Sequence, residues 1–180
     1  MYMYFTAIVL PQELNESIQA YKNFMLENYG CKVGLKSPAH ITLLPPFWMD
    51  EELESDLLNA TDLLAKQTLP FSINTDNFSV FAPRTIFIEV SPNKNLQQLK
   101  ETSDNYFKTQ PQYKTKIDDR PFHPHITIAT RDLHKKDFYE AWNIFKQKEF
   151  NEVWQAEGLS VLRHNQKNWD VLYTSQFKKI

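Results

Sequence analysis

Two stretches of the chain carry the same three residues in the same kind of neighbourhood. Ala39-His40-Ile41-Thr42-Leu43-Leu44 recurs as Pro124-His125-Ile126-Thr127-Ile128-Ala129, with His125 standing 85 residues after His40. Each copy reads as a short apolar strand, on which residues i and i+2 project to one face. His40 and Thr42 therefore point together, as do His125 and Thr127, while Ile41 and Ile126 enter the opposite layer. Side by side, two such strands offer two imidazoles and two hydroxyls. That set suits a phosphate group, whose oxygens accept hydrogen bonds from hydroxyls and charged imidazoles. An imidazole has an unperturbed pKa of about 6.5, so near neutrality one ring can take a proton while the other gives one. A lone His-x-Thr is usually a histidine bonded to backbone; the repetition carries the signal.

The elements that must hold these residues follow from periodicity. Residues 3–10 are apolar and β-rich and form a buried strand stopped by Pro11. Leu14, Ile18, Tyr21, Met25 and Leu26 recur at helical spacing between Glu13 and Tyr29, with Gly30 placed as the C-terminal cap. The first motif strand is expected over His40–Leu44, ended by Pro45-Pro46. A helix over Glu51–Lys66 presents Leu53, Leu57, Leu58, Leu63 and Leu64 on one face. Strands over Phe71–Phe81 and Thr85–Val90 turn at Ala82-Pro83-Arg84, and a helix spans Asn93–Lys108. The second motif strand runs His123–Ala129, then a helix Lys136–Lys148. A terminal hairpin joins Val153–Arg163 to Asp170–Phe177. The order β α β α β β α β α β β mixes hairpins and crossovers, which predicts an α+β fold and not a doubly wound parallel sheet. Nothing along residues 1–180 divides the chain, so one domain is expected, with two lobes meeting at a shared cleft.

Composition narrows the partners. The chain has 20 basic and 22 acidic residues, a formal charge of −2. Grip on long nucleic acid draws on a basic excess, so a mononucleotide or a short RNA end is favoured over a long duplex. The single Cys31 excludes an intrachain disulfide, and the N-terminal apolar run is far short of the ~20 residues of a membrane span. A cytoplasmic monomer that needs no membrane is the expectation.

Around the motifs, Arg120, Arg131, Lys36 and Arg163 are the cations expected near the cleft mouth. Phe47, Trp48 and Phe122 could supply a stacking wall for a base. His123 lies two residues before His125 and would share its face on a regular strand. Two such imidazoles could hold a metal, but Pro124 disturbs the strand and only Asp118 and Asp119 offer a third ligand. His123 is therefore placed at the rim or against a base, and no metal or cofactor is expected.

Two His-x-Thr motifs in an α+β chain of this length resemble the 2H phosphoesterase superfamily, which includes bacterial 2′-5′ RNA ligases and cyclic nucleotide phosphodiesterases. The resemblance covers essentially the whole chain. It implies a bilobal, pseudo-symmetric fold, two antiparallel-rich sheets flanking a central cleft with helices outside. It further implies that His40 and His125 are the acid–base pair and Thr42 and Thr127 the phosphate ligands. The reaction implied is hydrolysis of a 2′,3′-cyclic phosphodiester, or 2′-5′ ligation in some members, without metal. Some RNA ligase members carry an arginine soon after the second motif; Arg131 stands near that place but not at a matched offset, a departure that weighs against the ligase name. A non-catalytic nucleotide-binding module that kept the cleft is the alternative from another class.

Overall fold

A computed structural model describes residues 1–117 and 120–179. Its strands are β1 (Tyr2–Val9), β2 (His40–Met49), β3 (Phe71–Phe81), β4 (Thr85–Val90), β5 (His125–Ala129), β6 (Val153–Ala156), β7 (Gly158–His164) and β8 (Trp169–Gln176). The helices are α1 (Gln12–Tyr29), α2 (Glu54–Lys66), α3 (Lys94–Lys108) and α4 (Lys135–Phe145). Two four-stranded antiparallel sheets result, ordered β2-β1-β7-β8 and β5-β4-β3-β6. Each motif strand is the edge strand of its own sheet.

The two halves share a plan. β1-α1-β2 and β4-α3-β5 each pair an inner strand with a motif strand, through a helix that crosses to the other lobe. α1 packs on the second sheet, where Tyr21 meets Phe78 of β3 and Phe145 of α4. α3 lies against β2 and α2 of the first lobe. After each motif strand, α2 and α4 return to cover their own sheets. The crossed helices pin the lobes together, so the cleft between the motif strands has fixed walls.

Local chemistry sets the ends. Gly30 takes φ 69°, and its N–H and that of Cys31 bond the Leu26 and Met25 carbonyls, closing α1. Asn93 caps α3, accepting from the Leu96 N–H at 3.0 Å. β1 is buried on both faces because it is an inner strand. Tyr4 and Ile8 enter the main core, while Phe5 and Ala7 join Leu162 in a small cluster on the cleft side.

Three boundaries differ from those expected. β2 continues through Pro45-Pro46 to Met49, with Phe47 opposite Tyr4 and Met49 opposite Tyr2. An edge strand leaves one row of N–H groups unpaired, so prolines need not end it, and the register shifts between Tyr4 and Ala7 absorb them. β5 begins at His125, leaving His123 and Pro124 outside the strand. The first arm of the expected terminal hairpin splits: Val153–Ala156 pairs with β3 in the second sheet, and Gly158–His164 pairs with β1 in the first. The chain thus returns to its first lobe at Glu157. The N-terminal and C-terminal segments build one sheet and the middle builds the other.

Candidate active site

On the first lobe, His40 lies opposite Val9 and Thr42 opposite Ala7. Both project from the cleft face of β2 onto the Phe5, Ala7 and Leu162 cluster. The His40 ring lies 4.9 Å from Phe5, which in turn meets Trp169 edge-on at 4.7 Å. On the second lobe His125 lies opposite Glu89 and Thr127 opposite Phe87. The His125 ring sits between Phe81 and Phe87, at 5.1 and 5.0 Å.

Both histidines are held in the same way. His40 Nδ1–H donates to the Pro38 carbonyl and His125 Nδ1–H to the His123 carbonyl, each at 2.7 Å and each two residues upstream. A carbonyl only accepts, so each Nδ1 keeps its proton and each neutral ring leaves Nε2 as its acceptor. Burial pushes His40 down to about 4, helped by the nearby charges of Lys22 and His125, against the Pro38 bond that raises it. Burial also lowers His125, and there the His123 carbonyl and Glu89 pull upward.

The cleft between the lobes holds about 320 Å³ and is lined by His40, Thr42 and Pro46 from β2 and by Thr127, Thr130 and Arg131 from the second lobe. Phe5, Trp169, His164 and Lys36 complete its walls. Thr85 and Thr130 hydroxyls bond at 3.0 Å, tying the end of β5 to β4. Arg131 takes φ 55°, a left-handed conformation that redirects the chain just after the motif strand. The next residue, Asp132, accepts from the Lys32 and Val33 N–H groups at 2.6 and 2.9 Å. Those bonds fasten the short 3-10 turn Val33–Lys36 to the second lobe. At Gly34 a Cβ would collide with the Ile128 carbonyl oxygen of β5, so the close approach admits only glycine.

The structure brings His40, Thr42, Thr127 and Arg131 to one cleft, with His125 on the facing motif strand near enough to His40 for their charges to interact, and sends other candidates elsewhere. Phe47 is 4% exposed and packs against Tyr4 and Tyr113, so it is core and not a stacking wall. Alternation explains it: with β2 extended past the prolines, Phe47 points inward and Trp48 outward. His123 is exposed and turns its Nε2 to the Glu89 carboxylate at 2.7 Å, and it serves His125 through its backbone carbonyl. Arg120 is exposed, and Asp118 and Asp119, the residues that could have offered His123 and His125 a third ligand, lie outside the described residues. Among the described residues no three His, Cys, Asp or Glu side chains converge on one point. Arg163 leaves the mouth altogether: it bonds Glu54 at 2.8 Å behind the sheet, where Tyr4 donates to the same carboxylate oxygen. Phe122 stands over α3, against Lys100. Burial pushes the Cys31 thiol up to about 11, which makes it a poor nucleophile.

Sequence reasoning missed Phe5, His164, Trp169 and Lys22. His164 and Trp169 flank the β7–β8 turn, and Phe5 lies far from them on β1; only the shared sheet unites the three. Lys22 did leave a signal, because it falls four residues after Ile18 and three before Met25, on the apolar stripe of α1. Its ammonium is 3% exposed and donates to the Ser37 carbonyl at 3.0 Å.

Known proteins share both the motif-bearing sequence and this fold. Residues 10–168 match the 2'-5' RNA ligase superfamily. A protein of Oceanobacillus iheyensis named as a putative phosphoesterase is 34% identical over 142 residues, 76% of this chain and 77% of that one. A relative of the same name from Geobacillus kaustophilus is 32% identical over 132 residues, 72% and 71% of the two chains. Among solved structures, a Thermus thermophilus protein superposes with a TM-score of 0.71 at 22% identity, over 99% of this chain and 98% of that one. Escherichia coli LigT complexed with 3'-AMP gives 0.64 at 21% identity, over 99% of both. At these identities the solved structures speak to the fold. Among the described residues no helix is long and apolar enough to cross a membrane. Match, relatives and fold agree that the chain belongs to the 2'-5' RNA ligase superfamily, of the two-histidine phosphoesterase type.

Proposed function

We propose that the chain hydrolyses a 2′,3′-cyclic phosphodiester, on a nucleotide or at an RNA end, with His40 and His125 as a metal-free acid–base pair. The observation that carries this reading is the matched pair of Nδ1–H bonds to backbone carbonyls. They fix both rings in one tautomer and leave both Nε2 atoms free of a proton, His40 in the cleft and His125 on the motif strand that faces it. A phosphate seated between the lobes would be approached from opposite sides. One neutral imidazole takes the proton of an attacking water while one imidazolium protonates the departing ribose oxygen.

Thr42 and Thr127 share the faces of their histidines and would donate hydroxyl hydrogens to the non-bridging oxygens. Lys36 and Arg131 at the mouth offset the phosphodiester charge, and Arg131 can do so through two parallel N–H bonds. Trp169 and Phe5 give an aromatic wall for the base. A volume near 320 Å³ lies at the small end of the ~300–1,000 Å³ typical of ligand sites, which suits a nucleotide or a chain end. Every residue comes from one chain, so a monomer suffices.

The test is to incubate chelator-treated protein with 2′,3′-cyclic AMP and follow phosphorus NMR. Conversion to a single phosphomonoester is expected. Binding without turnover would favour the nucleotide-binding module, and joining of RNA ends in place of opening would favour ligation.

A further inference from the structure

Within the two-histidine reading, the structure assigns the two roles: His40 is the general base and His125 the general acid, set by Lys22 behind the first and Glu89 beside the second. The backbone of the two half-sites is equivalent, but the charges around them are opposite.

His40 faces Val9 across the ladder, and His125 faces Glu89 at the matching position. Directly opposed residues on an antiparallel pair keep their side chains on one face, roughly 5 Å apart at Cβ. Glu89 therefore stands beside the His125 ring and also accepts from His123 Nε2. On the other lobe the charge near His40 is Lys22, which reaches from α1 to the Ser37 carbonyl, three residues before His40. Among the described residues no carboxylate pairs with Lys22. Burial lowers it to about 8, which still leaves it charged at neutral pH.

The remaining ionisable neighbours do not reverse this contrast. His40 looks across the cleft to His125, with Lys36, Arg131 and His164 lining the mouth. None of these is a carboxylate, so none favours a charge on His40, and Lys22 and His125 oppose it. His125 has the His123 ring against it, and the His123 carbonyl and Glu89 for it. A cation disfavours an imidazolium and a carboxylate favours it. The resting pair is thus neutral His40 with His125 as the ring more ready to hold the second proton.

The step balances with that assignment. Water attacks phosphorus and its proton passes to His40 Nε2. The bond from phosphorus to the ring oxygen breaks, and that oxygen takes the proton from His125 Nε2. The products are a phosphomonoester and a free hydroxyl. The enzyme is left with His40 charged and His125 neutral, and proton exchange with solvent restores the start. Lys22 and Glu89 touch neither water nor phosphate; they are positioning residues that act through the imidazoles.

A leaving group that needs no proton separates acid from base. The probes are 2′,3′-cyclic nucleotides in which one bridging oxygen, at the 2′ or the 3′ position, is replaced by sulfur, since a thiolate departs unaided. His125→Ala should lose about 10²–10⁴-fold on the all-oxygen substrate but return to within about 10-fold of wild type on the analogue cleaved at sulfur. His40→Ala should stay impaired on both. Rescue of His40→Ala instead would overturn the assignment while leaving the two-histidine reading in place. A wild-type protein inert on the all-oxygen substrate would overturn that reading, and the assignment with it. Independently of turnover, NMR titration of the imidazoles should show Glu89→Gln lowering the His125 midpoint and Lys22→Met raising that of His40, each by on the order of half a pH unit. If Lys22→Met does not fold, Glu89→Gln and the sulfur analogues still decide. An unmoved His125 midpoint in folded Glu89→Gln contradicts the proposal.

Discussion

The first lobe places its histidine on an apolar floor; the second places its histidine beside a carboxylate. Phe5, Ala7, Val9 and Leu162 lie under His40, whereas Phe81, Phe87, His123 and Glu89 surround His125. The strands, the upstream carbonyl bonds and the following threonines are the same in both. The repeat thus supplies geometry, and the neighbouring strand supplies charge. A symmetrical pair of imidazoles could not favour one direction of proton flow; neighbours unlike in charge can.

The largest effects should come from breaking either half outright. His40→Ala and His125→Ala are each expected to lose about 10²–10⁴-fold in kcat/KM on a 2′,3′-cyclic nucleotide. The double variant should lose far less than the product of the two, because the pair acts as a unit. Steady-state kinetics on folded proteins, verified by circular dichroism, make the check.

Removing the hydroxyls sharpens the comparison by probing what the lobes share. Thr42→Val and Thr127→Val each delete a hydrogen bond to a charged oxygen, worth about 1.5–3 kcal/mol, so kcat/KM should fall roughly 10–150-fold in each. Equal losses would show the half-sites equivalent toward phosphate; a loss confined to one would show that only that lobe holds it.

A smaller effect separates the lobes through stability. His40 sits near 4 when folded against about 6.5 when unfolded, so below 6.5 the unfolded chain binds more protons. Stability from this group is complete above pH 6.5, falls as pH drops from there to 4, and is level below. Between pH 7.5 and 5.5 about 1 kcal/mol should be lost in wild type and recovered in His40→Gln. Urea unfolding at the two pH values measures it.

The smallest effect on activity belongs to Arg163. Because it is engaged with Glu54 and lies over Tyr2, Arg163→Ala should leave kcat/KM within about twofold of wild type and cost on the order of 1 kcal/mol of stability. A large kinetic loss would restore it to the cleft mouth.

Much of this was legible because strand geometry is periodic. The i, i+2 rule applied to His-Ile-Thr placed both imidazoles and both hydroxyls on the right faces, and apolar spacing located the four helices. Phe47 was misplaced for a local reason, since prolines that would end an inner strand are tolerated on an edge. Arg163 was misplaced for a distant one, because its partner Glu54 is 109 residues away. Trp169, His164 and Phe5 could not be read together before the chain's return at Glu157 was known. Lys22 could have been read, as a charge on an apolar stripe, and the opposition of Glu89 to His125 needed only the register of β4 on β5.

The central claim is that two imidazoles in opposite protonation states, and no metal, carry the reaction. The most direct measurement is the pH dependence of kcat/KM on 2′,3′-cyclic AMP after exhaustive chelation. Activity should be undiminished and its profile bell-shaped, falling on the acid side as the base is protonated and on the alkaline side as the acid is lost, with apparent pKa values belonging to the pair. Activity that disappears with chelator and returns with a divalent ion would contradict it.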